Sequence, residues 1–365
     1  MKSETILSFI GLGLIGGSIA KALKERTYPC FIKVYDQDQS TLIKAKQERI
    51  ADETYSCFIP DFFQCDFLFL CAPVKINCEI LQNYHHQFPK DCIITDVGSV
   101  KSPIHNIIDQ LYLNNQFIGG HPMAGSERYG YTNSSASLLE NAYYILTPTS
   151  YTKEADIQKL YTLVMSMGAL PYLLTADYHD STTAAISHLP HLIASSLVNL
   201  VKKEDDSHAT FKTLAAGGFK DITRIASSSP TLWQQICMEN SEKIIYYLDS
   251  YMEDLSVLRK QLDNQDASLL YDFFSSAQIY RDSFLETRSG PFIKQHVLTI
   301  DIPDRKGALA DVINLLANND ISIKNLGIIH NREDQEGALR MEFYSSKEHE
   351  MATRLLLEKQ YHFHS

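Results

Sequence analysis

The chain has 365 residues, 44% apolar and 21% charged, which is too long for one comfortable core and excludes disordered and fibrous classes. Its 33 basic and 44 acidic side chains leave a formal charge of −11, and no basic run offsets it, so nucleic-acid binding has no electrostatic support. Seven cysteines, odd in number and without C-x-x-C spacing, argue against a disulfide framework and against zinc.

The first ~175 residues alternate short apolar β-rich runs with helical patterns, which is how a parallel βαβ sheet reads in sequence. The runs are Thr5–Ile10, Phe31–Tyr35, Phe67–Cys71, Ile93–Asp96, Phe117–Gly119, Tyr143–Leu146 and Leu170–Leu174. Between the last two, Ile157, Leu160, Tyr161 and Val164 keep the spacing of a packed helix that Gly168 ends. Residues 6–23 are largely apolar, yet their glycines and Lys21 disqualify a signal peptide or membrane anchor. No other stretch approaches the roughly 20 apolar residues of a spanning helix, and the expectation is a cytoplasmic protein without a membrane partner.

After Asp177, a plausible N-cap, the pattern becomes helical almost throughout, giving an all-α domain over 177–290. Ile244, Leu248, Tyr251, Met252, Leu255 and Leu258 form one stripe and Leu269, Leu270, Phe273, Phe274 and Ala277 another, read as core or subunit interface. Beyond the turn cluster Ser289-Gly290-Pro291, β periodicity returns. Gln295–Ile302, Ile321–His330, Gly337–Tyr344 and Tyr361–His364 read as strands, and Ala308–Asn318 and Lys347–Glu358 as helices. That βαββαβ order over 293–365 is the ferredoxin-like motif.

Gly11-Leu12-Gly13-Leu14-Ile15-Gly16 follows the first strand and opens a helix expected from about Ser18. This context makes G-x-G-x-x-G a dinucleotide fingerprint, with Gly11, Gly13 and Gly16 shaping the turn and the backbone of Leu14 and Ile15 at the positive helix end. The first 176 residues therefore read as an α/β Rossmann-like dinucleotide-binding domain. Asp36 closes the second strand, where an acidic side chain accepts hydrogen bonds from the adenosine ribose and repels a 2′-phosphate, favouring NAD over NADP.

His121 follows a strand in Gly119-Gly120-His121-Pro122-Met123-Ala124-Gly125-Ser126, at the carboxyl edge where ligands gather, and Ser99 in Asp96-Val97-Gly98-Ser99-Val100-Lys101 belongs to the same rim. His188 and His191 lie three apart on one helical face, but no Cys or acidic cluster completes a metal site. Gly217-Gly218-Phe219-Lys220-Asp221-Ile222-Thr223-Arg224 offers either a local Arg224–Asp221 pair or a guanidinium fork for a substrate carboxylate.

The blocks GLGLIGGS, DVGSVK, GGHPMAGSE, SHLPH and GGFKDITRIA, in this order across roughly residues 4–285, resemble the prephenate dehydrogenase family of tyrosine biosynthesis. The resemblance implies NAD-dependent oxidative decarboxylation of prephenate to 4-hydroxyphenylpyruvate by a homodimer. It puts the catalytic base on His121, with Ser99 the hydroxyl that contacts it and the nicotinamide. It puts substrate binding on His191 and Arg224, on Ser126 where some members have threonine, and on Glu127 in an ionic network with Lys220 and Asp221. Asp304-Arg305-Lys306-Gly307-Ala308-Leu309 resembles the D-R-P-G-x-L signature of ACT domains, with Lys306 in place of proline. This implies an amino-acid effector, with L-tyrosine the natural candidate.

The alternatives are an arogenate dehydrogenase, whose substrate carries an amino group in place of the keto group, and a non-catalytic NAD-dependent amino-acid sensor. A two-domain hydroxyacid dehydrogenase fits less well, because Lys212 and Lys220 stand in poor register for its catalytic lysine.

Overall fold

A computed structural model describes residues 4–125, 128–205, 208–286, 296–303, 305–330 and 336–363. These fall into two compact units, 1–257 and 258–365.

The first unit begins with a five-stranded parallel sheet: β1 (Thr5–Ile10), β2 (Cys30–Tyr35), β3 (Glu53–Tyr55), β4 (Phe67–Leu70) and β5 (Ile93–Asp96), in the order β3-β2-β1-β4-β5. Helices α1 (Leu14–Glu25), α2 (Gln39–Gln47), α3 (Val74–Tyr84) and α4 (Ser102–Gln110) follow β1, β2, β4 and β5. A parallel bridge from Ile94 to Phe117 carries the sheet on to β6 (Ile118–Pro122), β7 (Tyr143–Pro148) and β8 (Leu170–Leu173). There β7 runs antiparallel to β6 and parallel to β8, with α5 (Glu154–Ser166) between the last two.

Successive side chains of a strand point to opposite faces, and the core divides accordingly. Leu7, Phe9, Phe67 and Phe69 enter one buried cluster with Ile19, Leu23 and Leu160, whereas Ile10, Leu68 and Leu70 enter another with Leu81, Ile104 and Ile108. Phe9 and Phe69 stack across neighbouring strands with ring centroids 4.7 Å apart. Buried on both faces, these strands read as continuous apolar runs, which is why their positions follow from the sequence.

Helices α6 (Ala176–Thr183), α7 (Leu189–Glu204), α8 (Thr210–Leu214), α9 (Gly217–Thr223), α10 (Pro230–Glu239) and α11 (Ser241–Asp263) follow. The cap of α6 is Thr175, whose side chain accepts from the Tyr178 N–H, rather than Asp177. Between α6 and α7, residues Ala184–His188 form a π-helical turn. Pro190 has no N–H to continue an α-helical ladder, and a wider turn accommodates that loss.

Two expectations change here. The run Ala176–Glu204 is long and apolar enough, by length and composition, to cross a membrane. The sequence reading missed it because the run is interrupted by Asp180, His188 and His191, and the first two are hydrogen-bonded within this unit. Of the two readings of the stripe from Ile244, core or subunit interface, the first is removed within the chain, since Ile244 is buried but Met252 and Leu255 are exposed.

The second unit holds α12 (Ala267–Glu286), β9 (His296–Pro303), α13 (Ala308–Ala317), β10 (Ile323–His330), β11 (Glu336–Phe343) and α14 (Ser346–Glu358). Its three strands form an antiparallel sheet in the order β10-β11-β9. The sixth element expected here is reduced to one antiparallel bridge between Ile300 and Phe363, and Asp304 and His364 lie outside the described residues.

Candidate functional site

The glycine turn sits at the carboxyl end of β1. Gly11 has φ +88°, and a Cβ there would press on the Cys71–Ala72 backbone at 3.2 Å. A Cβ on Gly16 would lie 2.6 Å from the Gly11 carbonyl, so this glycine brings α1 against the turn. Gly13 meets nothing within 4 Å and is the N-cap of α1 with no side-chain cap. The first N–H groups of α1, from Leu14 and Ile15 onward, thus begin at an uncapped and unobstructed glycine at the positive end of the dipole, the arrangement that suits a pyrophosphate. Asp36 follows β2; its Oδ2 accepts from Leu12 N–H at 2.7 Å and its Oδ1 from Asp38 N–H at 2.8 Å.

His121 lies on β6, parallel to β5 through the Ile94–Phe117 bridge and so at the same carboxyl edge. Its Nδ1 is 2.8 Å from Nε2 of His179. Burial holds His121 well below the ordinary histidine range, and His179, Lys101 and His188 add to the effect. Behind it, the fully buried Lys101 ammonium donates to Asp96 Oδ2 and, at 2.7 Å, to the Gly120 carbonyl. Asp96 Oδ1 accepts the Gly120 N–H at 3.1 Å. This ion pair therefore holds both backbone polar groups of Gly120, the residue before His121. Burial lowers the Lys101 pKa, and the attraction of Asp96 opposes it.

His179 and Asp180 lie in the first turns of α6, and His179 Nδ1 is 2.8 Å from Asp180 Oδ1. Helix α4 has no side-chain cap of its own, and the Asp180 carboxylate takes that place. It accepts from Lys101 N–H and Ser102 N–H, each at 2.7 Å, and from the Ser102 hydroxyl. Burial opposes the charge of Asp180, but the hydrogen bonds from His179, Ser102 and the two backbone groups outweigh it and keep its pKa low. Neither residue was anticipated from the sequence. A His-Asp pair in a helical stretch looks like solvated surface until the helix is packed over another helix's open N-terminus.

His188 is buried; Asn240 Nδ2 donates to its Nδ1 at 3.2 Å and to the Asp180 carbonyl at 2.8 Å. His191 donates from Nδ1 to the Ser187 carbonyl at 2.9 Å and stacks on Trp233 with ring centroids 3.5 Å apart. The proximity of Arg224 contributes to a lowered His191 pKa, after burial as the larger cause. The contacts His121–His179–Asp180–Asn240–His188 thus form one continuous series, and the rings of His188 and His191 both lie against Trp233.

Other expected residues are placed differently. Ser99 is half-buried after β5 and makes no hydrogen bond to His121 among the described residues; the imidazole is held by His179 instead. Lys220 and Asp221 are exposed on α9 and form no ion pair with each other among the described residues, and Arg224 forms none with Asp221. Ser126 and Glu127 lie outside the described residues, and the proposed network with Glu127 with them. Among the described residues no group of three His, Cys, Asp or Glu side chains is placed to hold a metal ion.

A glycine turn open to a pyrophosphate, with an uncharged imidazole on the same sheet edge, defines a nucleotide-dependent oxidoreductase. Residues 19–173 match the profile of the prephenate dehydrogenase nucleotide-binding domain and residues 175–276 that of the prephenate dehydrogenase dimerization domain. The chain is 35% identical over 358 residues to prephenate dehydrogenase of Bacillus subtilis, covering 98% of this chain and 96% of that protein. It is 33% identical over 354 residues to prephenate dehydrogenase of Lactococcus lactis, covering 96% of each. The crystal structure of A. aeolicus prephenate dehydrogenase in complex with hydroxyphenyl propionate and NAD+ superposes with a TM-score of 0.72 at 29% identity, over 77% of this chain and 99% of that one. The chain belongs to the prephenate dehydrogenase family.

Proposed function

We propose that this protein oxidatively decarboxylates prephenate to 4-hydroxyphenylpyruvate with NAD as oxidant, and that His121 is the base. The observation that carries the reading is the uncharged, His179-bound imidazole of His121 on the edge that bears the glycine turn. NAD, when bound, supplies the hydride acceptor for the ring carbon that bears the hydroxyl. The turn at Gly11–Gly16 and Asp36 hold the nucleotide by its pyrophosphate and adenosine ribose, and the charge of Asp36 favours NAD over NADP. His121 takes the hydroxyl proton as the carbonyl develops, a task suited to a neutral imidazole near pH 7. Cleavage of the ring–carboxylate bond then releases carbon dioxide, its electron pair restores the aromatic ring, and the oxygen regains a proton. Arg224 and His191 position the dianionic substrate, with Ser99, Ser126, Glu127 and Lys220 as further contacts.

The division 1–176, 177–290 and 293–365 assigns nucleotide binding, substrate binding with homodimerisation, and regulation to successive segments of a cytoplasmic enzyme. The matches to nucleotide-binding and dimerization profiles support the first two. An ACT-like reading of the third is supported by the βαββα order and by Phe363 bridging to β9 on the side away from β11, which gives the strand order of a ferredoxin-like sheet. L-Tyrosine, one amino transfer from the product, is the effector in this reading. Calorimetry of the full chain with tyrosine, phenylalanine and tryptophan should give heat with tyrosine, and no heat with any of them overturns the effector assignment.

The central test is the NADH absorbance of purified protein given NAD with prephenate or arogenate. NADH from prephenate is expected, and none from either substrate defeats the reading. His121→Asn should lower kcat by about 10²–10⁴-fold with nucleotide binding kept. Arg224→Ala should raise KM far more than it lowers kcat.

A further inference from the structure

Three bonded groups behind His121 decide which of its ring nitrogens carries hydrogen. The Asp180 carboxylate receives hydrogen bonds from Lys101 N–H, Ser102 N–H and the Ser102 hydroxyl, so it is ionised and only accepts. The atom of His179 facing it at 2.8 Å, Nδ1, must therefore carry hydrogen. A neutral His179 then presents a lone pair at Nε2, directed at Nδ1 of His121 at 2.8 Å. Two lone pairs do not bond, so the hydrogen of His121 sits on Nδ1. Its lone pair is left on Nε2, to which no group among the described residues is hydrogen-bonded.

We infer that His179 and Asp180 are positioning residues that set His121 in the Nδ1–H form, so that Nε2 is the atom that receives the substrate's hydroxyl proton. The inference rests on the assignment of His121 as base. On accepting that proton His121 keeps its Nδ1–H bond to His179, and the imidazolium is stabilised through that ring by the carboxylate. A protonated His179 would reverse the order. Its Nε2–H would donate to His121, put the hydrogen of a neutral His121 on Nε2, and abolish the base.

The groups that bear on this state come from every packed element. Lys101 at the start of α4 works against protonation of His179, while Asp180 on α6 and Asp96 on β5 favour it. Burial outweighs them and leaves His179 below its ordinary value. His105 on α4 and His188 between α6 and α7 are themselves held neutral, both near 4, and Glu239 on α10 has its carboxyl raised by burial.

The test uses the full chain with NAD and prephenate. His179→Leu removes the acceptor for His121 Nδ1–H and should lower kcat by about 10²-fold or more, with KM and NAD affinity within about threefold of wild type. His179→Gln places an amide oxygen near the former Nε2 and should recover at least about tenfold of that loss. Nitrogen-15 spectra of histidine-labelled protein read the tautomer directly. The His121 signals, assigned by their loss in His121→Asn, should show hydrogen on Nδ1 in the wild type and a mixture of forms in His179→Leu. Hydrogen on Nε2 of wild-type His121, or wild-type kcat in His179→Leu, overturns the inference. If His121→Asn is also fully active, the base assignment has failed. If His121→Asn is inactive and His179→Leu active, only the positioning role has.

Discussion

The carboxylate of Asp36 accepts the Leu12 N–H at 2.7 Å. The side chain expected to meet the adenosine ribose is thus also a strut between the end of β2 and the glycine turn. Substitutions should separate the two roles. Asp36→Asn keeps an oxygen for Leu12 but loses the charge and the acceptor for the Asp38 N–H, so the preference for NAD over NADP should narrow with a smaller loss of stability than Asp36→Ala gives. Asp36→Ala should narrow it as well and cost about 1–3 kcal/mol of stability, because a backbone donor loses its charged acceptor. Paired kinetics with NAD and NADP and a denaturation curve check both outcomes. Equal stability of the Asn and Ala variants would contradict the strut.

Trp233 is the only tryptophan in the chain and lies flat against His191. A protonated imidazole stacked on indole quenches its emission more than a neutral one. Fluorescence should therefore fall on acidification with a midpoint below 6.5, since burial lowers the His191 pKa. His191→Gln should remove the transition. A midpoint at or above 6.5 would mean the imidazole is more solvated than its stacking implies.

Lys101 and Asp96 form an ion pair that is fully buried on both sides. Lys101→Met leaves the carboxylate buried without its counter-charge and should cost about 3–5 kcal/mol, whereas the double variant Lys101→Met with Asp96→Asn should recover part of the loss. Urea denaturation of the two single variants and the double variant measures the coupling. Because the pair also holds both backbone polar groups of Gly120, the double variant should stay impaired in kcat even where stability returns.

Acid should weaken this protein before its carboxylates titrate. His105 and His188 have pKa values near 4 in the folded chain, and those of His121 and His179 are also lowered. In the unfolded chain each binds a proton near 6.5, so between roughly 6.5 and 4 the unfolded state holds more protons. Stability is then present above 6.5 and lost as the pH falls, by at most about 1.4 kcal/mol per pH unit for each histidine. Denaturation midpoints at pH 7.5, 6 and 5 should decline in that order. A flat profile would show that these imidazoles are solvated in the folded state.

The parallel sheet was legible because strands buried on both faces must be apolar throughout, and β1 and β5 fall where the runs put them. The short edge strand Glu53–Tyr55 was not, since it has neither length nor an apolar face. Helix α1 begins at Leu14 rather than near Ser18, because the Gly16–Gly17 pair that weakens a helix in isolation here allows close packing on the turn. For the candidate site, fingerprint spacing pointed to Gly11–Gly16 and Asp36, and strand-end position to His121. His179 and Asp180 stayed hidden because their meaning depends on contacts 58 and 79 residues away in the chain, at His121 and Lys101.

Asp180 belongs to the helical segment, yet it closes the N-terminus of α4, which belongs to the nucleotide-binding segment. A fragment ending before α6 would still carry the glycine turn and His121. It would lack the group that dictates the state of that imidazole, and it would leave α4 uncapped. Such a fragment should retain affinity for the dinucleotide and be chemically mute. Exchanging the helical segment for one from another oxidoreductase should then transfer no activity unless the His-Asp pair travels with it, so a recombination boundary just before residue 176 keeps the binding function and strands the chemistry.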